Sequence, residues 1–174
     1  MTPEVSARES PAGYVGVIGP SAATPHQERL AEEVGRRLAG HGAVVVTGGH
    51  DGVMAAASRG AHQAGGLTLG LLPGTTRHEA NPYLTVSVPT GLGEMRNALL
   101  VRSCAALIAV GGSWGTLSEI ALAVRTGIPV YLLDGWRLDA DGPGADGPVH
   151  VGTAQEAVDA ALQHLPGGRL TGAG

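Results

Sequence analysis

Six short apolar runs punctuate the chain: Tyr14–Ile18, Ala43–Thr47, Leu67–Leu72, Leu84–Val88, Ala105–Val110 and Ile128–Leu133. Most are apolar throughout instead of alternating, the pattern of strands covered on both faces. Segments with helical spacing follow most of them, over about 25–39, 52–64, 93–103, 116–126 and 154–164. The first is the clearest. Leu30, Val34 and Leu38 recur at i, i+4 and i+8, while Arg29, Glu32, Glu33, Arg36 and Arg37 take the opposite side. Strands alternating with helices predict βαβ units and an α/β fold with a mainly parallel sheet flanked by helices.

Three helix starts carry the spacing of a capping box: Thr24 to Gln27, with Pro25 at the first helical position, Thr116 to Glu119, and Thr153 to Glu156. Residues 1–12 and 166–174 are small, polar and rich in Gly and Pro, which predicts tails around a single domain over 13–165. Gly135–Pro148 reads as a long loop before the last helix.

Composition narrows this picture. The chain has 174 residues, enough for one core, and no Phe, so the core must be built from aliphatic side chains. Its 29 glycines sit mostly where apolar runs end and tight turns belong. The net charge of −4 and the lack of a Lys/Arg-rich run argue against a nucleic-acid partner. A single cysteine, Cys104, excludes an intrachain disulfide and a Cys-based zinc site, and its apolar setting reads as core. Met1–Gly13 lacks the apolar stretch of a signal peptide, and no run approaches the roughly 20 apolar residues of a membrane span. The expectation is a cytoplasmic protein without a membrane partner.

Three strand-to-helix junctions are rich in glycine and hydroxyls: Gly19-Pro20-Ser21, Gly48-Gly49-His50-Asp51-Gly52, and Gly111-Gly112-Ser113-Trp114-Gly115-Thr116. In a parallel sheet all three lie beyond the carboxyl ends of the strands, where ligands bind. Glycine admits close backbone approach. A helix N-terminus behind it offers unpaired N–H groups and positive partial charge, a site for phosphate. No Gly-Lys-Ser/Thr and no G-x-G-x-x-G occurs, which disfavours a P-loop ATPase or an ordinary NAD dehydrogenase. Arg96, beside Asn97, is either a bidentate phosphate ligand or a solvated helix arginine. Glu119 is either a capping glutamate or a carboxylate at the mouth of the phosphate loop, with capping the simpler reading of its spacing. Trp114 either stacks on a flat ring or covers its loop. His50 and Asp51 either meet ligand or simply form a turn. The seven histidines show no metal-binding spacing.

Gly111-Gly112-Ser113-Trp114-Gly115-Thr116-Leu117-Ser118-Glu119 resembles the P-G-G-x-G-T-x-x-E signature of LOG-type proteins, long misannotated as lysine decarboxylases. Arg96-Asn97-Ala98-Leu99-Leu100 resembles their R-K-x-x-M signature. The likeness runs from about Tyr14 to Leu165 and includes Thr47–Met54 and Asn81-Pro82-Tyr83. Gly93-Glu94-Met95-Arg96-Asn97 and Val110-Gly111-Gly112 look most like the molybdenum-cofactor-carrier-like branch. Gly111 stands at the family's proline, Ser113 at its second glycine, Asn97 at its lysine and Leu100 at its methionine.

The resemblance implies a Rossmann-like three-layer sandwich, a homo-oligomer (dimer or tetramer) and an anion pocket at Gly19, Ser21, Gly48, Gly49, Asp51, Gly52, Arg96, Asn97 and 111–116, with Glu119 beside it. It supports two functions. One is a binding or carrier protein for a phosphorylated small ligand, a molybdenum cofactor or a nucleotide such as AMP. The other is a nucleoside 5′-monophosphate phosphoribohydrolase, releasing base and ribose 5-phosphate, in which Arg96 and Glu119 are catalytic. No metal held by the protein is expected.

Overall fold

The computed structural model of the chain describes residues 11–138 and 147–166. Most of both expected tails, and 139–146 of the expected loop, lie outside the described residues. The first half alternates strictly: β1 (Gly13–Ile18), α1 (Pro25–Gly40), β2 (Ala43–Thr47), α2 (Val53–Gln63) and β3 (Thr68–Leu72). Then come β4 (Val86–Pro89), a 3-10 turn at Gly93–Met95, α3 (Arg96–Arg102), β5 (Ala106–Val110), α4 (Trp114–Thr126), β6 (Val130–Leu133), β7 (Val149–Val151) and α5 (Ala154–Leu162).

The strands form one parallel sheet in the order β4-β3-β2-β1-β5-β6-β7. Each strand sends alternate side chains to opposite faces. Val15, Val17, Val45 and Ile108 pack under α1, α2 and α5. Ile18, Val44, Val46, Leu107 and Leu132 pack with Leu100 of α3 and Ile120 of α4. This is the expected α/β three-layer sandwich, and its aliphatic core includes Cys104 on the α3/α4 side.

On the other face, α1 and α2 cross at Gly35 and Gly60. A methyl group on Gly35 falls 2.8 Å from the carbonyl carbon of Ala57, and one on Gly60 falls 2.8 Å from that of Glu32. The two backbones touch, and only glycine fits at these positions.

Several boundaries differ from expectation. The fourth strand starts at Val86 and not Leu84. Upstream of it, Thr68 and Thr85 each donate a backbone N–H to the other's hydroxyl, at 3.1 and 2.7 Å, replacing ladder bonds there. β7 lies at the far end of the expected loop and was missed, because three exposed-to-intermediate residues show no apolar run. The segment 93–103 is a 3-10 turn followed by a shorter helix.

The expected capping box at Thr116 and Glu119 is overturned: α4 starts at Trp114 and is capped by Ser113, whose hydroxyl accepts from the Thr116 N–H. Thr116 is therefore inside the first turn, and Glu119 lies nearly a turn deeper. The box at Thr24 and Gln27 forms in full. At Thr153 only half forms, because Glu156 accepts instead from the Gly152 N–H.

Candidate functional site

Sequential strands run outward from β1 to β4, and the chain then returns to start a second series at β5. The junctions after β1 and β5 thus part in opposite directions and leave a crevice at the switch point. A cavity of about 800 Å³ fills it. Gly19, Pro20 and Ser21 after β1, His50 and Met54 after β2, and Pro73 after β3 form one side. Gly93–Asn97, Ser113–Thr116, Ser118, Glu119 and Leu122 form the other. Elements far apart in the chain meet there because a parallel sheet collects every strand-to-helix junction at one edge.

The expected site residues divide into two groups. Gly19, Ser21, Arg96, Asn97, Ser113, Trp114, Gly115, Thr116 and Glu119 line the cavity. Gly48, Gly49, Asp51, Gly52, Gly111 and Gly112 lie outside that lining. Five of these six are glycines that shape the wall from behind. Gly48 is backed by Arg96, whose Nη1 lies 2.5 Å from where a methyl group would sit. Gly52, at φ 63°, tucks under the Pro20 and Ser21 backbone, and Gly111, at φ 71°, closes on Gln27. Gly112 packs against the ring of Trp136. Asp51 is exposed, and its neighbour His50 faces the cavity in its place.

Support for the 48–52 loop comes from the Asn81-Pro82-Tyr83 stretch, which the family likeness includes but to which spacing assigns no role. Buried Asn81 donates from Nδ2 to the carbonyls of Gly49 (3.2 Å) and His50 (3.1 Å), and its own N–H reaches Gly49 as well. Met95 is also in the lining, although 77% exposed.

The floor is an ion pair. Arg96 is 8% and Glu119 7% exposed, and the nearest approach, Nη1 to Oε1, is 3.7 Å. Neither side chain hydrogen-bonds any other described residue, and Arg96 Nε is buried without a partner. Burial pushes the Glu119 carboxyl up to about 7, even though the Arg96 charge pulls the other way. The same desolvation lowers the guanidinium from its ordinary value, against the pull of Glu119. Arginine nevertheless keeps its proton in proteins. The pair is therefore poorly compensated, with guanidinium donors free for an incoming acceptor.

Above the floor stands the N-terminus of α4. The Ser113 hydroxyl takes the Thr116 N–H (3.1 Å) and bonds the Thr116 hydroxyl (2.9 Å). The N–H groups of Trp114 and Gly115, the first two of the helix, remain outside the intrahelical ladder. Asn97 donates from Nδ2 to the Ser118 hydroxyl at 3.1 Å, and that hydroxyl donates to the Gly115 carbonyl at 2.7 Å. This chain ties α3 to the first turn of α4. Trp114 is 80% exposed at the rim and meets Trp136 edge-on, with ring centroids 5.2 Å apart.

Among the described residues, no group of three His, Cys, Asp or Glu side chains is placed to hold a metal. No helix there is long and apolar enough to cross a membrane.

A family model described as LDcluster4, the SLOG cluster4 family, matches residues 12–153. A protein of Archaeoglobus fulgidus described as uncharacterized is 40% identical over 113 residues, covering 65% of this chain and 74% of that one. The solved molybdenum cofactor binding protein of the phototrophic bacterium Rippkaea orientalis superposes with a TM-score of 0.78 at 33% identity, over 88% of this chain and 96% of that one. The molybdenum cofactor carrier protein of Chlamydomonas reinhardtii gives a TM-score of 0.77 at 33% identity, over 87% and 97%.

Proposed function

The chain belongs to the SLOG cluster4 family, and on that premise we propose that it binds a phosphorylated small molecule in the switch-point cavity and serves as its carrier in the cytoplasm. The ligand class is a molybdopterin-type cofactor or a nucleotide. One observation carries the reading: Arg96 is a buried guanidinium with an unpartnered Nε, lining a cavity that also holds the N-terminus of α4. A buried cation with free donors is costly alone and is satisfied by an oxyanion. The free N–H groups of Trp114 and Gly115 and the helix dipole add to the same anion site. The cavity volume lies within the range of small-molecule sites. Trp114 offers a flat apolar face at the rim for a heterocycle. The relatives whose names record molybdenum cofactor binding and carriage support the carrier role and the pterin-type ligand.

We also infer a homo-oligomer, a dimer or tetramer. Met95 and Leu99 lie one turn apart and exposed around α3, and Val124 is exposed on α4. Such a surface is suited to burial by another copy.

The test is mass spectrometry of ligand released from purified protein, with calorimetric titration of AMP. A phosphorylated pterin or nucleotide is expected. Arg96→Ala should weaken AMP binding roughly 10- to 100-fold, the worth of charge-assisted hydrogen bonds. Protein that carries no phosphorylated ligand and binds none would end this reading.

A second reading is favoured by the Arg96–Glu119 proximity of 3.7 Å. It is the phosphoribohydrolase, in which a carboxyl tuned to about 7 suits general acid–base work on a nucleoside monophosphate. Chromatography of AMP incubations decides between the two. Free adenine that disappears in Glu119→Gln supports the enzyme, and intact AMP supports the carrier.

A further inference from the structure

The unusual feature of the cavity floor is the carboxylate. A guanidinium alone would serve an anion, yet Glu119 faces it from α4 at 3.7 Å, buried and without a hydrogen bond among the described residues. An oxyanion seated on Arg96 would share that guanidinium with an existing negative charge in a desolvated pocket. With Glu119 ionised, one buried cation would face three negative charges when the anion is doubly charged. Like charges in one buried site are relieved by protonating one of them.

Four other ionisable groups face Glu119 or share its cavity. Arg96 on α3 stays charged. The Cys104 thiol, just beyond α3, is pushed up to about 12 by burial and stays protonated near neutrality. His50 and Glu94 line the same cavity from the 48–52 loop and the 3-10 turn. The Glu119 carboxyl already sits near 7 in the free protein, so little further perturbation is needed.

We propose that Glu119 binds the anion as a neutral carboxylic acid, taking up one proton as a dianionic oxyanion seats between Arg96 and the N-terminus of α4. The proton comes from solvent and stays on the carboxyl, whose O–H then donates to an anion oxygen. No covalent bond to the ligand forms or breaks. Glu119 thereby becomes a specificity determinant. A phosphate monoester dianion binds with one proton, and the monoanion brings its own. The inference rests on the anion site proposed above.

Inorganic sulfate is the probe, because it stays doubly charged near neutrality whereas a phosphate ester titrates there. Calorimetry in two buffers of different ionisation enthalpy counts the protons exchanged. Near pH 7.5 the wild-type chain should take up a fraction of a proton per sulfate, rising towards one at higher pH, while its affinity falls by up to about tenfold per pH unit. Glu119→Gln, fixed in the neutral form, should bind sulfate with no proton uptake and no pH dependence. Sulfate binding by the wild type without proton uptake, or with the same uptake in Glu119→Gln, overturns the proposal and leaves the anion site standing. Absence of both sulfate and AMP binding at every pH overturns the anion site, and the proton coupling with it.

Discussion

Gly35→Ala and Gly60→Ala set two effects of opposite sign against each other. Helix propensity favours alanine inside a helix by about 1 kcal/mol, which predicts stabilisation. The α1–α2 crossing predicts the reverse. At Gly60 the added methyl group falls 2.8 Å from the Glu32 carbonyl carbon and 3.1 Å from the Arg36 nitrogen; at Gly35 it falls 2.8 Å from the Ala57 carbonyl carbon. Ordinary carbon contacts sit at about 3.5–4.0 Å, so the helices must part by roughly 1 Å. The obstacle is backbone on both sides, and no side chain can turn away to absorb it. Overpacking of this kind costs about 1–3 kcal/mol, and prying apart a whole helix pair belongs at the upper end.

Each variant should therefore lose about 1–2 kcal/mol net once the propensity gain is subtracted, a fall in Tm of roughly 2–8 °C for a chain of this length. Gly40→Ala, at the end of the same helix and with nothing within 4 Å of the added methyl group, should instead gain about 0.4–1 kcal/mol. Urea unfolding followed by far-ultraviolet dichroism measures all three. If Gly35→Ala and Gly60→Ala match Gly40→Ala in raising the midpoint, the close crossing is not what those glycines provide.

Further outcomes follow from the cavity floor. Glu119 has a folded value near 7, above its unfolded value near 4.5, so the folded state holds the extra proton between those limits. The stability this confers is complete below about pH 4.5 and is lost as pH rises through 7, a decline of up to about 3 kcal/mol. Glu119→Gln removes the slope, so its stability relative to the wild type should rise by about 2–3 kcal/mol between pH 5 and 8 in urea titrations; a pH-independent difference would contradict the assignment. Gly48→Ala places a methyl group 2.5 Å from Arg96 Nη1 and 2.8 Å from the Met54 sulfur, so the guanidinium must leave its seat. Calorimetry should show AMP affinity reduced about tenfold or more, as expected for misaligned charge-assisted hydrogen bonds. Unchanged affinity would mean that Arg96 binds nothing from that position.

How much could be read in advance varied with the kind of signal. The all-valine run Val44-Val45-Val46 and the run Leu107-Ile108-Ala109-Val110 can only be strands buried on both faces, and they are. The first capping box was legible because Thr24, Pro25 and Gln27 act within one turn. The box at Thr116 failed because two hydroxyl residues, Ser113 and Thr116, compete for one helix start, and spacing favours neither. β7 carried too few residues to show a period.

The layers were already written in the chain: continuous apolar runs and helical spacing are local patterns, and burial follows from them by the hydrophobic effect alone. The chain also determined that glycine-rich junctions would gather at one sheet edge, since parallel strands leave no alternative. Which of these residues line the cavity depends on long-range packing. Six of the expected contacts, among them Gly48, Asp51 and Gly111, proved to lie outside the cavity lining, while His50 faces the cavity. Arg96 and Glu119 are 23 positions apart in the chain, and nothing local records their distance. The packing of α3 against α4 brings their charges to 3.7 Å, both largely buried. Burial there turns a helix arginine and an apparent capping glutamate into the ion pair on which the proposed anion site rests.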